Sequence, residues 1–298
     1  MKKIMVLAVL LASLFLLVSC GGGEQQGAAT GAFLGGTQGI EAEFEDFGIL
    51  EDGISSVFDT EAFPIDVTLK NKGEYKVKPG EVTVVIMGPL LDFSGIPAKE
   101  LKNKGEVDII SDLLPQGGEE TITFASDAKY AKPVNGILEL EWFASVESKY
   151  QTTLVIPEVC LKEDLADKRV CEVKESKTFY VSGAPITVTS VDEDTSGQAI
   201  MAVRIGIKNA GLGQVTKIGE TFGNQEKLSF SVDDTKWECK SGGKIDEARL
   251  VNEEAEILCK IKEALPKGTL ATQQLRLTLD YQYRDQIQKK INVKQSVK

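Results

Sequence analysis

The chain has 298 residues, of which 42% are hydrophobic and 27% are charged, a composition typical of globular proteins and sufficient for two domains. Its formal net charge of -11 disfavours binding to nucleic acid, because a phosphate backbone attracts clustered cations. The absence of histidine excludes a Ser-His-Asp triad, a Cys-His pair and a His-ligated metal site. We therefore expect no nucleic-acid partner and no cofactor.

An export signal is predicted at the N-terminus. Lys2 and Lys3 precede an apolar run from residue 4 to residue 18, which is shorter than the roughly 20 residues of a membrane-spanning helix. The run ends in Leu17-Val18-Ser19-Cys20, which resembles the lipobox of prokaryotic lipoproteins. That resemblance implies removal of residues 1–19, a lipid on Cys20 and attachment to the extracytoplasmic face of a membrane. The alternative is an ordinary secretory signal that ends beside a cysteine.

Residues 20–39 are predicted to form a flexible linker behind the lipidated cysteine. Eight glycines occupy the 19 positions from residue 21 to residue 39. A glycine-rich coil of that length has a typical end-to-end distance of about 24 Å. We expect this linker to lift a folded body off the membrane.

From residue 40 onward the chain alternates apolar and polar residues, and glycine and proline occupy the gaps. This pattern is typical of an antiparallel β-sandwich or barrel. It predicts strands at residues 40–44, 65–69, 81–87, 121–124 and 137–142. Residues 98–114 have a mixed period and are predicted to hold a short helix or two.

The second half of the chain repeats features of the first. Residues 203–211 match residues 65–73 at an offset of 138, and residues 277–281 match residues 138–142 at an offset of 139. Two weaker matches occur in the same order, of residues 256–259 with 120–122 and of residues 186–189 with 40–44. We predict a duplicated domain of about 100 residues per copy.

The repeated strand ends in Asn-x-Gly, at Asn71-Lys72-Gly73 and at Asn209-Ala210-Gly211. This ending resembles the CARDB and related immunoglobulin-like domains of prokaryotic cell-surface proteins, and the whole chain is similar to archaeal surface proteins with two such domains. The resemblance implies an all-β fold of two tandem immunoglobulin-like antiparallel β-sandwich domains, at residues 40–177 and 178–298. It covers roughly residues 40–297 and carries over no catalytic residue.

Four cysteines follow Cys20, an even number that favours disulfides in an exported chain and leaves three connectivities open. Cys160 and Cys171 flank a charged turn and face each other across a predicted hairpin. Cys239 and Cys259 lie in strand-like segments of the second copy, which makes them natural partners. The alternative is four buried free thiols.

Two apolar sets are candidates for binding. Leu90, Leu91 and Phe93 lie in the most apolar loop and would bind a partner if exposed, although such loops more often fold back over their own core. The aromatic set could stack on a sugar, but its position on apolar strand faces predicts core packing, with Tyr283 the best candidate for exposure. That set consists of Trp142, Tyr281 and Tyr283.

Carboxylates offer the remaining chemistry. Asp192, Glu193 and Asp194 lie in a predicted turn, where exposure to solvent is the default interpretation and calcium is the alternative. No metal ligand is assigned. A catalytic pair cannot be identified among 45 acidic residues, because some pairs lie close together in any such chain.

The sequence thus predicts a membrane-anchored lipoprotein of the cell surface that acts as a non-catalytic binding, adhesion or structural module. Its partners would be the membrane, through the lipid on Cys20, and a surface protein or glycan. One alternative is an extracytoplasmic carboxylate-dependent hydrolase, which needs two carboxyl groups about 5 to 9.5 Å apart in a cleft. Another is an accessory subunit of a membrane or secretion assembly, which would display a long apolar edge strand.

Overall fold

A computed structural model describes residues 33–167, 169–173 and 175–297 of the chain. The predicted signal peptide, Cys20 and the linker as far as residue 32 lie outside the described residues. None of the described residues belongs to a helix with the length and apolar character of a membrane span.

The described residues form eighteen strands. In chain order these are β1 (Ile40–Phe44), β2 (Ile49–Glu51), β3 (Ile54–Phe58), β4 (Ala62–Asn71), β5 (Val82–Met87), β6 (Phe93–Ser94), β7 (Glu100–Lys102), β8 (Glu119–Tyr130), β9 (Ile137–Lys162), β10 (Tyr180–Val181), β11 (Ile186–Gly197), β12 (Ile200–Asn209), β13 (Gln214–Thr216), β14 (Lys227–Val232), β15 (Trp237–Lys240), β16 (Glu247–Arg249), β17 (Glu254–Ile261) and β18 (Leu270–Lys294). A 3-10 turn at Leu90–Asp92 precedes β6.

The strands predicted in the first half are confirmed as parts of β1, β4, β5, β8 and β9, because side chains that alternate along a strand bury one face and expose the other. The helix predicted within residues 98–114 is wrong. Asn103, which follows β7, accepts the N–H of Val82 and donates to the carbonyls of Lys78 and Gly105. These hydrogen bonds join the segment after β7 to residues 78 and 82 and hold it in an extended conformation.

Two four-stranded sheets pack on one large sheet. The first half contributes β1-β4-β8-β6 and the second half contributes β11-β12-β17-β15. The large sheet has ten strands, and its main path is β16-β14-β18-β9-β5-β7. The predicted all-β, antiparallel sandwich architecture is therefore confirmed.

The centre of the large sheet is a pair of very long strands, which we call the spine. β9 has 26 residues and β18 has 25, and they pair from Lys162–Leu270 to Ile137–Lys294 with one register shift, between Gln273 and Leu275. A strand of 26 residues extends over about 85 Å at 3.3 Å per residue. Both halves of the body are thus built on one continuous ribbon.

Each spine strand belongs to both halves. In the first half, residues 143–148 of β9 lie between β5 and residues 283–288 of β18, and residues 291–294 of β18 pair in parallel with β3. In the second half, β18 pairs with β14 and β13. From residue 33 onward the chain forms one compact unit. The division into two domains between residues 177 and 178 therefore stays a prediction.

Candidate functional site

The turn after β4 depends on its Asn-x-Gly sequence. The side-chain amide of Asn71 donates to the carbonyls of Tyr75 and Val107 at 2.8 and 3.2 Å, and Oδ1 accepts the hydroxyl of Tyr150 at 3.0 Å. A Cβ at Gly73 would lie only 2.1 Å from that hydroxyl. The asparagine therefore binds a spine tyrosine, and the glycine leaves room for it.

The turn after β12 repeats this arrangement. Asn209 donates to the carbonyl of Gly213 at 2.9 Å and accepts the hydroxyl of Tyr283 at 3.5 Å, and a Cβ at Gly211 would lie 2.1 Å from that hydroxyl. Tyr283 is thus the equivalent of Tyr150, 133 residues earlier in the chain. The offset between these two tyrosines is 133, whereas the sequence match predicted 139 for this part of the repeat. The predicted offset is wrong because strands with a regular alternation of apolar and polar residues can be aligned in several registers.

The two turns meet at the middle of the spine, a region that we call the waist. Tyr150 and Tyr281 are direct partners across the spine, and Thr152 contacts the Tyr281 hydroxyl at 3.0 Å while donating to the carbonyl of Ile186 at 2.7 Å. Burial raises the pKa of Tyr281 well above its usual value and that of Tyr283 to about 12. Both hydroxyls therefore stay protonated at neutral pH, Tyr281 in contact with Thr152 and Tyr283 with Asn209.

The N-terminal arm, residues 33–39, is attached at the waist. One carboxylate oxygen of Glu74 accepts the N–H of Leu34 at 2.9 Å, and the other accepts those of Gly35 and Gly183 at 2.9 and 2.7 Å. The N–H of Lys72 donates to the carbonyl of Gly39 at 2.8 Å. The predicted flexible linker included these residues, which are instead hydrogen-bonded to the body.

The apolar loop presents one of its three candidate side chains to solvent. Leu91 is 96% exposed, whereas Leu90 is half-buried against the core. Phe93 is buried, with its ring centroid 5.2 Å from those of Tyr130 and Trp142. Phe93 belongs to the core of the first half and is not available to a partner.

The aromatic set lies inside the body. Trp142 and Tyr281 are fully buried, which confirms their predicted role in packing. The predicted exposure of Tyr283 is wrong, since only 7% of this residue is accessible. The turn at Gly211 covers it, and its hydroxyl accepts the N–H of Gly213 at 2.7 Å.

The acidic cluster occupies the interior of β11 and not a turn. Because strand residues alternate, Glu193 points inward, where its carboxylate accepts the N–H of Cys160 at 2.7 Å and lies 2.7 Å from Nζ of Lys177. Burial raises the pKa of the Glu193 carboxyl. Asp192 accepts the hydroxyl of Ser176 on the outer side. Among the described residues, no group of three or more acidic or cysteine side chains converges on a metal position.

Both predicted disulfides are present. Cys160–Cys171 closes the loop that follows β9, and Cys239–Cys259 joins directly opposed residues of β15 and β17. The hairpin predicted around the first pair is wrong, because Cys171 belongs to no strand and Cys160 pairs with Thr272 of β18. No sequence pattern predicts the role of Lys162, which is 2% exposed and donates from Nζ to the carbonyls of Asp167 and Cys171 inside the loop closed by the first disulfide.

A groove of about 570 Å³, which we call the side groove, lies at the edge of the second half. It forms where residues 241–254 cross from β15 to β16 and return to β17. Most of its lining residues carry polar or charged side chains. The lining comprises Gln225, Lys227, Ser241, Gly242, Lys244, Glu247, Arg249, Val251, Glu254, Ala255 and Glu256.

Three cations line this groove. Lys227 and Arg249 are directly opposed on β14 and β16, an arrangement that is unfavourable for like charges. Nζ of Lys227 lies 2.6 Å from Glu220, but the guanidinium of Arg249 has no hydrogen bond or ion pair with any described residue. Lys244 contacts Glu247 and, with Lys217, lowers the pKa of that carboxyl.

The sequence contained no motif for the side groove, because its cations come from three segments that only strand register brings together. A comparison with protein-family models found no match, and a comparison with curated proteins found none either. The interpretation of function therefore depends on the geometry of the chain itself.

Proposed function

We propose that the chain is a membrane-anchored, non-catalytic cell-surface protein that binds a partner through its folded body. The observation that carries this proposal is the side groove, a half-open polar depression with three cations, one of which has no partner among the described residues. Open polar grooves with a few oriented charges suit recognition of a hydrophilic ligand.

The arm supports the anchoring part of the proposal. A tether that begins at a lipidated Cys20 would join the body through residues 34–39, which Glu74 fixes at the waist. The 13 residues from Cys20 to residue 33 reach at most about 45 Å when extended. The tether would then join the body near the middle of its spine.

The carboxyl groups favour binding over hydrolysis. A glycosidase needs a general acid that has a raised pKa and that the substrate can reach. Among the described carboxyl groups, Glu193 has the raised pKa. Its side chain is completely buried and is held by Lys177 and by the N–H of Cys160, so no substrate reaches it. In the side groove, the carboxyl of Glu247 has a lowered pKa and is paired with cations.

Intact-mass spectrometry of the protein from membranes of its native host tests the anchor. We expect a chain that begins at Cys20, carries the mass of a lipid and gains two hydrogen atoms per disulfide on reduction. The variant Cys20→Ala should lose the lipid and leave the membrane fraction. A wild-type chain without lipid, in the same preparation, would overturn the anchoring proposal.

A further inference from the structure

We infer that the side groove binds an acidic glycan, a saccharide that carries carboxylate groups. This inference rests on the proposed binding function and names the ligand class of the same groove. It follows from the placement of the cations, from the neutral polar lining and from the backbone of the two turns that border the groove.

The cations point to a carboxylate. Lys227 and Arg249 face each other across adjacent strands and repel each other. Glu220 neutralises Lys227, but no described carboxylate pairs with Arg249. An anion between them would relieve this repulsion, and a guanidinium binds a planar carboxylate through two parallel hydrogen bonds. Three carboxylates also line the groove, but each is already paired, Glu247 with Lys244, Glu254 with Lys208 and Glu256 with Arg204, so they leave the guanidinium of Arg249 without a partner among the described residues.

The rest of the lining points to a saccharide. Gln225 supplies a neutral donor and acceptor, and the hydroxyl of Ser241, which donates to the carbonyl of Glu256, supplies an acceptor. The exposed carboxylates of Glu254 and Glu256 pair with Lys208 and Arg204 and have further lone pairs for the hydroxyl groups of a ligand. The volume of about 570 Å³ lies within the range of roughly 300 to 1,000 Å³ typical of small-ligand sites. A ligand with both carboxylates and many hydroxyls uses all of these groups, whereas a simple anion uses the cations alone.

Two tight turns hold the groove in shape. Ser241 pairs with Lys244 and Val251 pairs with Glu254. The second turn has left-handed backbone at Asn252 and Glu253, with φ of 52° and 69°, which is unfavourable for a residue such as glutamate. The carbonyl of Glu253 accepts the N–H of Asn209 at 2.8 Å and so fixes this turn to the waist. A groove with fixed walls loses little entropy when it binds a ligand.

Isothermal titration of the full-length chain in detergent tests the inference. The probes are a uronic-acid oligosaccharide, a neutral oligosaccharide of equal length that lacks the carboxylates, and acetate. We expect the uronic-acid probe to bind at least tenfold more tightly than either of the others. We expect Arg249→Gln and Lys227→Gln each to weaken its binding at least tenfold, and added salt to weaken it as well.

Arg276→Gln is the matched control, because Arg276 is an exposed arginine of the same half that does not line the groove. It should bind the uronic-acid probe as the wild type does. Thermal unfolding should show that all variants are folded, since removing one of two opposed cations relieves repulsion.

Equal binding of the neutral oligosaccharide, equal binding of acetate, or unchanged affinity in Arg249→Gln would each overturn the inference. None of these results bears on the lipid at Cys20, which mass spectrometry tests separately. A lipidated chain without affinity for the uronic-acid probe would therefore contradict the ligand class and leave the anchor standing.

Discussion

The two halves share a spine but differ in what stabilises their cores. In the first half, Trp142 lies 6.1 Å from Phe47 and 5.2 Å from Phe93, between ring centroids, and these rings contact further aromatic residues. In the second half, the Cys239–Cys259 disulfide crosses the smaller sheet beside buried Trp237. Similar strand positions are thus compatible with an aromatic core in one half and a covalent link in the other.

The largest expected effect tests the aromatic core. Trp142→Ala should lower the free energy of unfolding by about 3 to 5 kcal/mol, because it leaves a cavity among packed rings. Phe143→Ala is the control, since Phe143 is the next residue of β9, lies on the opposite face and is partly exposed. Denaturant unfolding followed by circular dichroism measures both. Equal losses in the two variants would contradict the role given to the aromatic cluster.

The disulfide of the second half should have a somewhat smaller effect. The loop closed by Cys239–Cys259 spans 20 residues, and opening it in the double variant Cys239→Ala/Cys259→Ala should cost about 3 kcal/mol through loop entropy. The variant Cys160→Ala/Cys171→Ala opens a loop of 11 residues and should cost slightly less. Thermal unfolding of both compares them. A greater loss from the shorter loop would show that the difference between the cores lies elsewhere.

The smallest effect concerns the feature that the halves share. Tyr150→Phe and Tyr283→Phe should each cost about 1 kcal/mol, because each removes one hydroxyl that binds an equivalent asparagine. Denaturant unfolding at neutral pH measures the two variants. A loss confined to one of them would contradict the equivalence of the two turns.

The dependence of stability on alkaline pH tests the role of the Tyr283 hydroxyl. Burial raises the pKa of Tyr283 to about 12, above its usual value of 10, so the protonated hydroxyl favours the folded state. Its contribution is complete below about pH 10 and is lost as the pH rises toward about 12. Tyr283→Phe should therefore show a smaller fall in stability over this interval than the wild type. An unchanged fall would assign the pH dependence to other groups.

Sequence patterns predict the sandwich strands where one face is clearly apolar, as in β4 and β12. They predict β9 only as far as Trp142, although the strand continues to Lys162. Beyond Trp142, inward positions include Ser148 and Thr152, both buried, and polar residues at such positions hide the alternation. The extent of the spine was therefore not predictable from the pattern.

The candidate sites depended on contacts that a pattern does not record. Tyr283 ends an apolar alternation, which makes it the best candidate for exposure in the aromatic set, but a turn that starts at Asn209 covers it. Lys227 and Arg249 lie 22 positions apart and become neighbours only through the pairing of β14 with β16. Disulfide partners were predictable because hairpin geometry and shared segments limited the choices.

The last strand of the chain has a consequence for biosynthesis. Ile291 of β18 pairs with Ser55 of β3, so a strand from the extreme C-terminal region completes the first sandwich. During synthesis from the N-terminus, the residues of the first half are made before this strand is available. Contacts between such distant residues form slowly, and unpaired edges invite aggregation in the meantime. Native closure of the first half therefore awaits synthesis of β18.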